Sequence, residues 1–200
     1  MVSVFFVMDL VLALLQGIGI AAAVGVRPML PVLLAGALAS RDIGLEFDGT
    51  DFAFLESWPF LLAAVLAAAA LVLAERTGID ERRPLVYALA VACVVLGVLE
   101  ASGSLADEGH SIIPGIVLGA GAAVLGFVAA RDLFTRVRRR LDPEAANALP
   151  VYAEGAALAA AGLSILFPPL AILVIAGLGW LMLGGRRREG EKYAGLRILR

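Results

Sequence analysis

Gly25-Val26-Arg27-Pro28-Met29-Leu30-Pro31 interrupts a long apolar run at the start of the chain. An arginine and two prolines stand where a helix that crosses a bilayer would carry leucine. Proline lacks a backbone N–H and ends or kinks a helix, and an arginine deep in a membrane needs a partner. This stretch therefore predicts a broken helix with a candidate polar site at the break.

The composition assigns the chain to a membrane. Of its 200 residues, 61% are hydrophobic and 17% are charged, and the mean hydropathy is +0.94. A soluble domain of this length cannot bury so much apolar surface. The first apolar segment follows no basic region, so we interpret it as a mature membrane helix and not as a cleaved signal. We expect an all-α fold, with a single transmembrane domain over residues 1–200.

The apolar runs predict a polytopic protein with six to seven helical segments. These are about 2–25, 28–40, 57–74, 84–101, 112–131, 150–167 and 169–184, followed by a basic tail at 185–200. The second segment reaches only about 20 Å as a helix, which is less than a full bilayer span. Pro168-Pro169 divides the last run, since neither proline continues a helix cleanly. The first and last units are therefore both interrupted, as in transporters built from inverted repeats.

The distribution of charge predicts the orientation. Lys and Arg are enriched on the cytoplasmic side of membrane proteins, which places the loops 75–83 and 131–149 and the basic tail inside. The acidic loop 41–58, whose aromatic residues suit the interface, and the loop 102–111 then lie outside. Residues 150–184 must enter and return, with the double proline as the outer turn. We expect a multi-pass protein with its N-terminus outside and its C-terminus in the cytoplasm.

Arg27 allows two interpretations. In the first, it is a fixed cation beside backbone groups freed by Pro28 and Pro31, and it holds an anionic ligand or a carboxylate. In the second, its side chain extends to the nearer interface and only sets the topology. Glu154, in the first turns of the sixth segment, is the candidate partner of Arg27, or it takes up a proton. An acid near a helix N-terminus is also favourable without any function.

Other polar residues give weaker signals. Glu100 and Asp9 fall toward the outer side, where each either lines a polar cavity or lies at the surface near a helix end. A basic cluster either attracts anionic lipid headgroups or only sets the topology. Its members are Arg136, Arg138, Arg139 and Arg140. With one histidine and one cysteine, the chain offers no metal site and no intrachain disulfide. We expect no cofactor and no nucleic-acid partner.

Two functions agree with these features, and nothing in the sequence argues for an enzyme. The first is a carrier or channel, as a monomer or a homo-oligomer, for a small anionic or proton-coupled solute. It is suggested by two interrupted units with Arg27 and Glu154 at their bases. The second is a non-transporting membrane component, either lipid-binding or accessory, whose Gly/Ala-rich helices serve as packing surfaces. Membrane lipids are partners in both cases, and the sequence does not name a substrate.

Three stretches resemble a bacterial family of small integral membrane proteins known as domain of unknown function 4126. Residues 25–31 are similar to the family's early Gly-x-Arg/Asn-Pro-x-Leu-Pro break. Residues 74–80, followed by Arg83-Pro84, resemble its acidic turn after the third segment. Residues 114–119 resemble its late Pro-Gly helix, and Glu154 resembles the glutamate that opens its last hairpin.

The resemblance covers nearly the whole chain and implies a protein of the bacterial inner membrane with no assigned reaction. The chain departs from the family in two loops. At 76–80 the family pattern is similar to Asp-Lys-Ile-Pro, whereas this chain has Arg-Thr-Gly-Ile-Asp. At 132–149 Arg-rich sequence replaces a Thr/Gly/Asn-rich stretch. Any ligand that relatives bind through these loops is therefore not expected here.

Overall fold

A computed structural model describes residues 2–77, 83–146 and 148–194. Every regular element in this part of the chain is helical, and five helices are long and apolar enough to cross a membrane. The predicted all-α polytopic fold is therefore confirmed. Most of the predicted loop 75–83 and the end of the basic tail lie outside the described residues.

The described part of the chain forms eight α-helices. They are α1 (Val2–Val26), α2 (Met29–Ala39), α3 (Trp58–Arg76), α4 (Arg83–Asp107), α5 (Ile113–Arg138), α6 (Pro143–Ala146), α7 (Leu149–Leu166) and α8 (Ala171–Ala194). Short 3-10 turns, Ala53–Glu56 and Pro168–Leu170, precede α3 and α8. The five candidate spans are α1, α3, α4, α5 and α7, whereas α2 and the apolar stretch Pro168–Gly184 are shorter.

Two helices are longer than the sequence predicted. The fourth segment was expected to end at 101, but α4 continues to Asp107. Residues 102–106 contain no proline, and the chain leaves the helix only at Gly109, whose φ of 69° lies in the left-handed region. Similarly, α5 continues through the arginine-rich stretch to Arg138, because arginine is a good helix former. The predicted loops 102–111 and 131–149 are correspondingly shorter.

The helix α1 forms the centre of the bundle. It packs against α4, α5, α7 and α8, and every side chain from Ile20 to Val24 is fully buried. A Cβ atom added to Gly126 would lie 2.2 Å from the carbonyl oxygen of Ala22, so only glycine allows α5 to approach α1 this closely. By contrast, α3 packs mainly against α2 and remains largely exposed.

The two interrupted units are α1 with α2 and α7 with α8, and they meet beside the middle of α1. The Gln16 side chain donates a hydrogen bond to the carbonyl of Gly44, which follows α2, and its Nε2 lies 3.4 Å from the carbonyl oxygen of Ile165 near the end of α7. Gln16 precedes Arg27 by about 16 Å along the helix axis. Both α2 and α7 therefore start near the Arg27 level and end about halfway along α1.

The two ends of the bundle differ. At the Arg27 end, α1 and α3 finish and α7 begins. At the opposite end, which we name the Phe47 end, the loop of residues 40–57 covers the helices. Phe47 and Leu55 are fully buried there, and a Cβ atom added to Gly103 would lie 2.8 Å from the Phe47 ring. The loop predicted to lie at the interface thus inserts two apolar side chains into the bundle, while Phe54 remains exposed.

Candidate functional site

Arg27 connects four helices at the break between α1 and α2. Its side chain is only 11% exposed, and its Nη1 donates a hydrogen bond to Oε1 of Glu75 near the end of α3. Its Nε lies 3.8 Å from Oε1 of Glu154 in α7. The guanidinium also lies over the Phe134 ring of α5, 5.8 Å from the ring centroid, which is a cation–π geometry. We name Arg27, Glu75 and Glu154 the Arg27 cluster.

The prolines explain why the chain breaks at this position. Pro28 has no N–H to offer the carbonyl of residue 24, so α1 cannot continue. Both Pro28 and Pro31 are buried, and α2 begins at Met29. The Gly25 carbonyl, in the last turn of α1, lies 3.8 Å from the buried Cys93 thiol of α4, which donates to it. The break is therefore packed inside the bundle, and Arg27 is fixed at its corner.

A cavity of about 510 Å³ lies against this corner. Its walls include Leu71 of α3, Leu89 of α4 and Phe127 of α5. The charged residues in its lining are Arg27, Glu75, Arg131, Arg138 and Arg139. Four arginines against one glutamate make the lining positive, and a concave surface of one sign concentrates ions of the opposite sign.

The Arg27 cluster has unused hydrogen-bonding capacity. Among the described residues, neither the Nε of Arg27 nor the Oε2 of Glu154 has a hydrogen-bond partner, and both atoms are buried. A guanidinium carries five N–H donors in a planar fork that matches an oxyanion. Two carboxylates surround one guanidinium, so an anion can join the cluster only if one acid is displaced or neutralised.

The structure brings some of the predicted site residues together and separates others. Arg27, Pro28, Pro31 and Glu154 all lie at the break. Asp9 is exposed on α1 toward the Phe47 end, far from Arg27. Glu100 has no exposed surface. The surface position that the sequence allowed for Glu100 is therefore wrong, because α4 continues beyond it to Asp107.

Glu75 is the site residue that sequence reasoning did not single out. It was assigned to the loop 75–83 because arginines follow it, but α3 continues through Arg76. Glu75 and Leu71, one turn earlier, both line the cavity, whereas Arg76 is exposed. Two signals in the sequence could have identified Glu75. It shares a helix face with apolar residues, and it lies in the acidic turn that resembles the family pattern.

The predicted basic cluster is divided between two environments. Arg136 donates a hydrogen bond from Nη2 to the carbonyl of Leu181 at 3.1 Å and so joins α5 to α8. Arg138 and Arg139 line the cavity, and Arg140 is exposed where α5 ends. Arg136 thus has a packing role in addition to any effect on topology.

The fold and this site define a multi-pass α-helical membrane protein with a charged cluster at a broken central helix. A family model described as "Domain of unknown function (DUF4126)" matches residues 14–188. The chain belongs to this family, which confirms the resemblance of its motifs. The match includes the break, Glu75, Glu154, the first interrupted unit from residue 14 onward and the second unit through residue 188. No curated protein and no solved structure matches the chain.

Proposed function

We propose that the protein is a carrier that moves a small anion together with a proton, and that Arg27 binds the anion. The observation that carries this proposal is the Arg27 cluster itself. One guanidinium, held between two carboxylates at a helix break, faces a cavity whose charged lining residues are mainly arginine. Broken helices with charged residues at the break are a common way in which transporters build binding sites.

Electrostatic attraction accounts for the first step, which is entry of the anion into the cavity. Arg131 and Arg139 in the cavity lining concentrate anions near Arg27, as a basic funnel does. An oxyanion can then accept two parallel hydrogen bonds from the guanidinium, which is a strong and orienting contact. The 11% exposure of the Arg27 side chain limits competition from water.

Glu75 accounts for the proton. It lines the cavity and accepts a hydrogen bond from Arg27, so an incoming anion competes with it for the guanidinium. We propose that the displaced Glu75, which has lost the hydrogen bond and the charge of Arg27, takes up a proton from the cavity. The cluster then gains one anion and one proton, so its net charge is unchanged for a monovalent anion and falls by one for a divalent anion such as sulfate. Glu154 remains beside Arg27 and positions it.

The two interrupted units supply the movement. The cavity lies at the Arg27 end, while the 40–57 loop closes the Phe47 end. The second unit, α7 and α8, packs along α1 of the first unit, and the Gln16 side chain joins the two units through the carbonyls of Gly44 and Ile165. We propose that the second unit, α7 and α8, moves against α1, α4 and α5 to exchange access between the two sides. The Arg27 end faces the cytoplasm of a bacterial inner membrane, because arginines are concentrated there.

Flux measurements in proteoliposomes test this proposal. Vesicles that contain a pH-sensitive dye are placed in an inward gradient of sulfate, inorganic phosphate or succinate. We expect the wild-type protein to acidify the lumen with at least one of these anions, and Arg27→Ala to abolish the signal. Arg76→Ala is the matched control, because Arg76 is exposed at the end of the same α3 helix that carries Glu75. Equal flux in the wild type and Arg27→Ala would contradict the proposal, as would no acidification with any of the three anions.

An apolar cavity favours a second candidate function, lipid binding. Its volume is about 490 Å³, and it lies between α1, α5, α7 and α8, whose Leu, Ala and Val side chains line it. This space accommodates part of an acyl chain, and Arg131 is exposed on α5 at the same end to attract an anionic headgroup. An anionic phospholipid such as phosphatidylglycerol is the expected ligand.

A cavity-filling variant separates the two functions. Ala156→Phe places a ring in the apolar cavity, which Ala156 lines, and leaves the Arg27 cluster intact. If the protein is a lipid-binding component, native mass spectrometry should detect bound phosphatidylglycerol on the wild type and not on Ala156→Phe. Neither protein should then transport anions in proteoliposomes. If it is a carrier, Ala156→Phe retains proton-linked flux and Arg27→Ala does not.

A further inference from the structure

Glu100 is a buried acid that the anion pathway does not use. Its side chain has no exposed surface. Neither of its carboxyl oxygens has a hydrogen-bond partner among the described residues. Glu154, by comparison, is 23% exposed and lies beside Arg27. A buried carboxyl group without a partner is rare in folded proteins, and each example requires an explanation.

The packing of α1 against α4 locates Glu100 near the middle of the bundle. Gly17 contacts Ala101, and Ala21 contacts Gly97, so the two helices are antiparallel and Glu100 lies level with Ile18. Arg27 is nine residues beyond Ile18 in α1, which corresponds to about 14 Å along the axis. Glu100 therefore belongs to a separate site from the Arg27 cluster.

No ionisable residue faces Glu100 from the helices that pack against α4. The stretches Leu10–Val26 of α1, Met29–Ala39 of α2 and Ile113–Ala130 of α5 contain none. In the 40–57 loop, Arg41 is exposed, and Glu56 accepts a hydrogen bond from the Phe47 backbone N–H at 3.4 Å. On α4 itself, Cys93 and Asp107 lie about two turns away on either side. Among the residues that the structure describes, none supplies a hydrogen bond or an ion pair to stabilise a charged Glu100.

We propose that Glu100 is a proton-binding site in the membrane interior that exchanges its proton with the Phe47 end. In the closed arrangement its carboxylate has taken up one proton, and the side chain is a neutral acid. The Phe47 ring packs against Gly103, one turn from Glu100, and separates it from the surface. The proton leaves when the 40–57 loop opens and water reaches the carboxyl group.

A proton fits this site better than a metal ion. An ion such as Na⁺ or Ca²⁺ needs several oxygen ligands, whereas neither carboxyl oxygen of Glu100 has a polar partner by hydrogen bonding among the described residues. No group of three acidic, histidine or cysteine side chains is found in the part of the chain that the structure describes. A single proton requires only the carboxyl group itself. The inference does not depend on the anion function, because Glu100 and Arg27 are separate sites.

Chemical labelling of the full-length protein tests the inference. Dicyclohexylcarbodiimide adds to protonated carboxyl groups in apolar surroundings, and peptide mass spectrometry locates the adduct. We expect labelling of Glu100 at neutral pH, a decrease as the pH is raised, and complete loss in Glu100→Gln. Glu108, which is exposed just after α4, is the internal control and should remain unlabelled. In the Phe47→Ala variant, Glu100 should be labelled several-fold faster, because the ring no longer covers it.

Infrared spectroscopy provides a second measurement that does not depend on access of the reagent. The wild type should show the carbonyl stretch of a protonated carboxyl group, and Glu100→Gln should lack that band. An unlabelled Glu100 together with no band lost in Glu100→Gln would overturn the proposal. Protection of Glu100 from the reagent by NaCl at constant ionic strength would overturn it in favour of a sodium site. Either result would leave the anion proposal for Arg27 unaffected.

Discussion

The Arg27 cluster and Glu100 are two regions in which the same bundle places acids inside a membrane. At the break, Glu75 and Glu154 flank a guanidinium, and a polar cavity adjoins them. In the middle of α4, Glu100 has neither a cation nor a hydrogen bond from the described residues. An acid beside a cation remains charged, whereas a buried acid without one is stable only when neutral.

This difference is visible in the surrounding helices. The Arg27 end combines broken backbone, aromatic rings and several arginines, so charges there can be paired or partly hydrated. The Phe47 end is filled by close glycine contacts and two buried apolar side chains of the 40–57 loop. We therefore expect that replacing a glutamate by glutamine lowers the stability at the break and changes it very little at Glu100.

The largest effect should follow from removing the cation. Arg27→Ala leaves Glu75 and Glu154 facing each other without a partner, and breaking a buried ion pair from one side costs about 3 kcal/mol or more. The measurement is the free energy of unfolding in detergent micelles, with Arg76→Ala as the exposed control. Combining Arg27→Met with Glu75→Gln and Glu154→Gln should recover most of the loss, because no unpaired charge remains. A stability of Arg27→Ala equal to that of Arg76→Ala would contradict the pairing.

Glu75 and Glu154 should contribute different amounts to the stability of the folded protein. Glu75→Gln loses a charged hydrogen bond to Arg27 and should cost about 1.5 kcal/mol of unfolding free energy. Glu154→Gln loses only a contact at 3.8 Å and should cost less than about 1 kcal/mol. A double-mutant cycle with Arg27 measures both coupling energies. A larger coupling for Glu154 than for Glu75 would reverse the roles proposed for them.

Glu100→Gln should change stability very little. If the carboxyl group is already neutral, glutamine replaces one neutral polar group without a partner by another of similar shape, so the unfolding free energy should stay close to that of the wild type. Glu75→Gln, measured under the same conditions, is the comparison. A loss for Glu100→Gln as large as for Glu75→Gln would show that Glu100 has an unrecognised charged partner.

The smallest effect should come from the 40–57 loop. Burial raises the pKa of Glu56 above its ordinary value of 4.5, and the neighbouring Asp48 adds to this shift. The folded protein therefore holds this proton more tightly than the unfolded chain does, so stability should fall slightly as the pH rises from 4.5 through the higher folded-state value. Glu56→Gln should remove this component of the pH dependence. An unchanged pH profile in Glu56→Gln would assign it to other acids of the loop.

Local sequence signals predicted most of the fold. Pro28 and the Pro168-Pro169 pair each interrupt a helix because proline lacks a backbone N–H, whereas Pro31 lies within the first turn of α2. Both interrupted units were therefore recognisable from the sequence. The ends of α4 and α5 could not be predicted, because neither serine nor arginine stops a helix. The sequence also does not show which parts of the protein pack against these helix ends. The same reason explains Glu100, whose burial depends on how α1 and α4 pack and not on its neighbours in the chain.

The candidate site was predictable to a similar degree. Arg27 and Glu154 stood out because charges are rare in apolar segments. Glu75 lies beside Arg76 at a helix end, where a charged residue is ordinary. Its contact with Arg27 spans 48 residues and depends on the position of α3 against α2, which no short pattern encodes.

The central claim is that an anion replaces Glu75 at Arg27 and that Glu75 takes up a proton. Counting protons per bound anion tests it most directly, by titrating purified protein with sulfate in buffers of different ionisation enthalpy in a calorimeter. The account predicts uptake of one proton per sulfate in the wild type, anion binding without proton uptake in Glu75→Gln, and no binding in Arg27→Ala. Sulfate binding to the wild type with no proton uptake, or undiminished binding to Arg27→Ala, would contradict it.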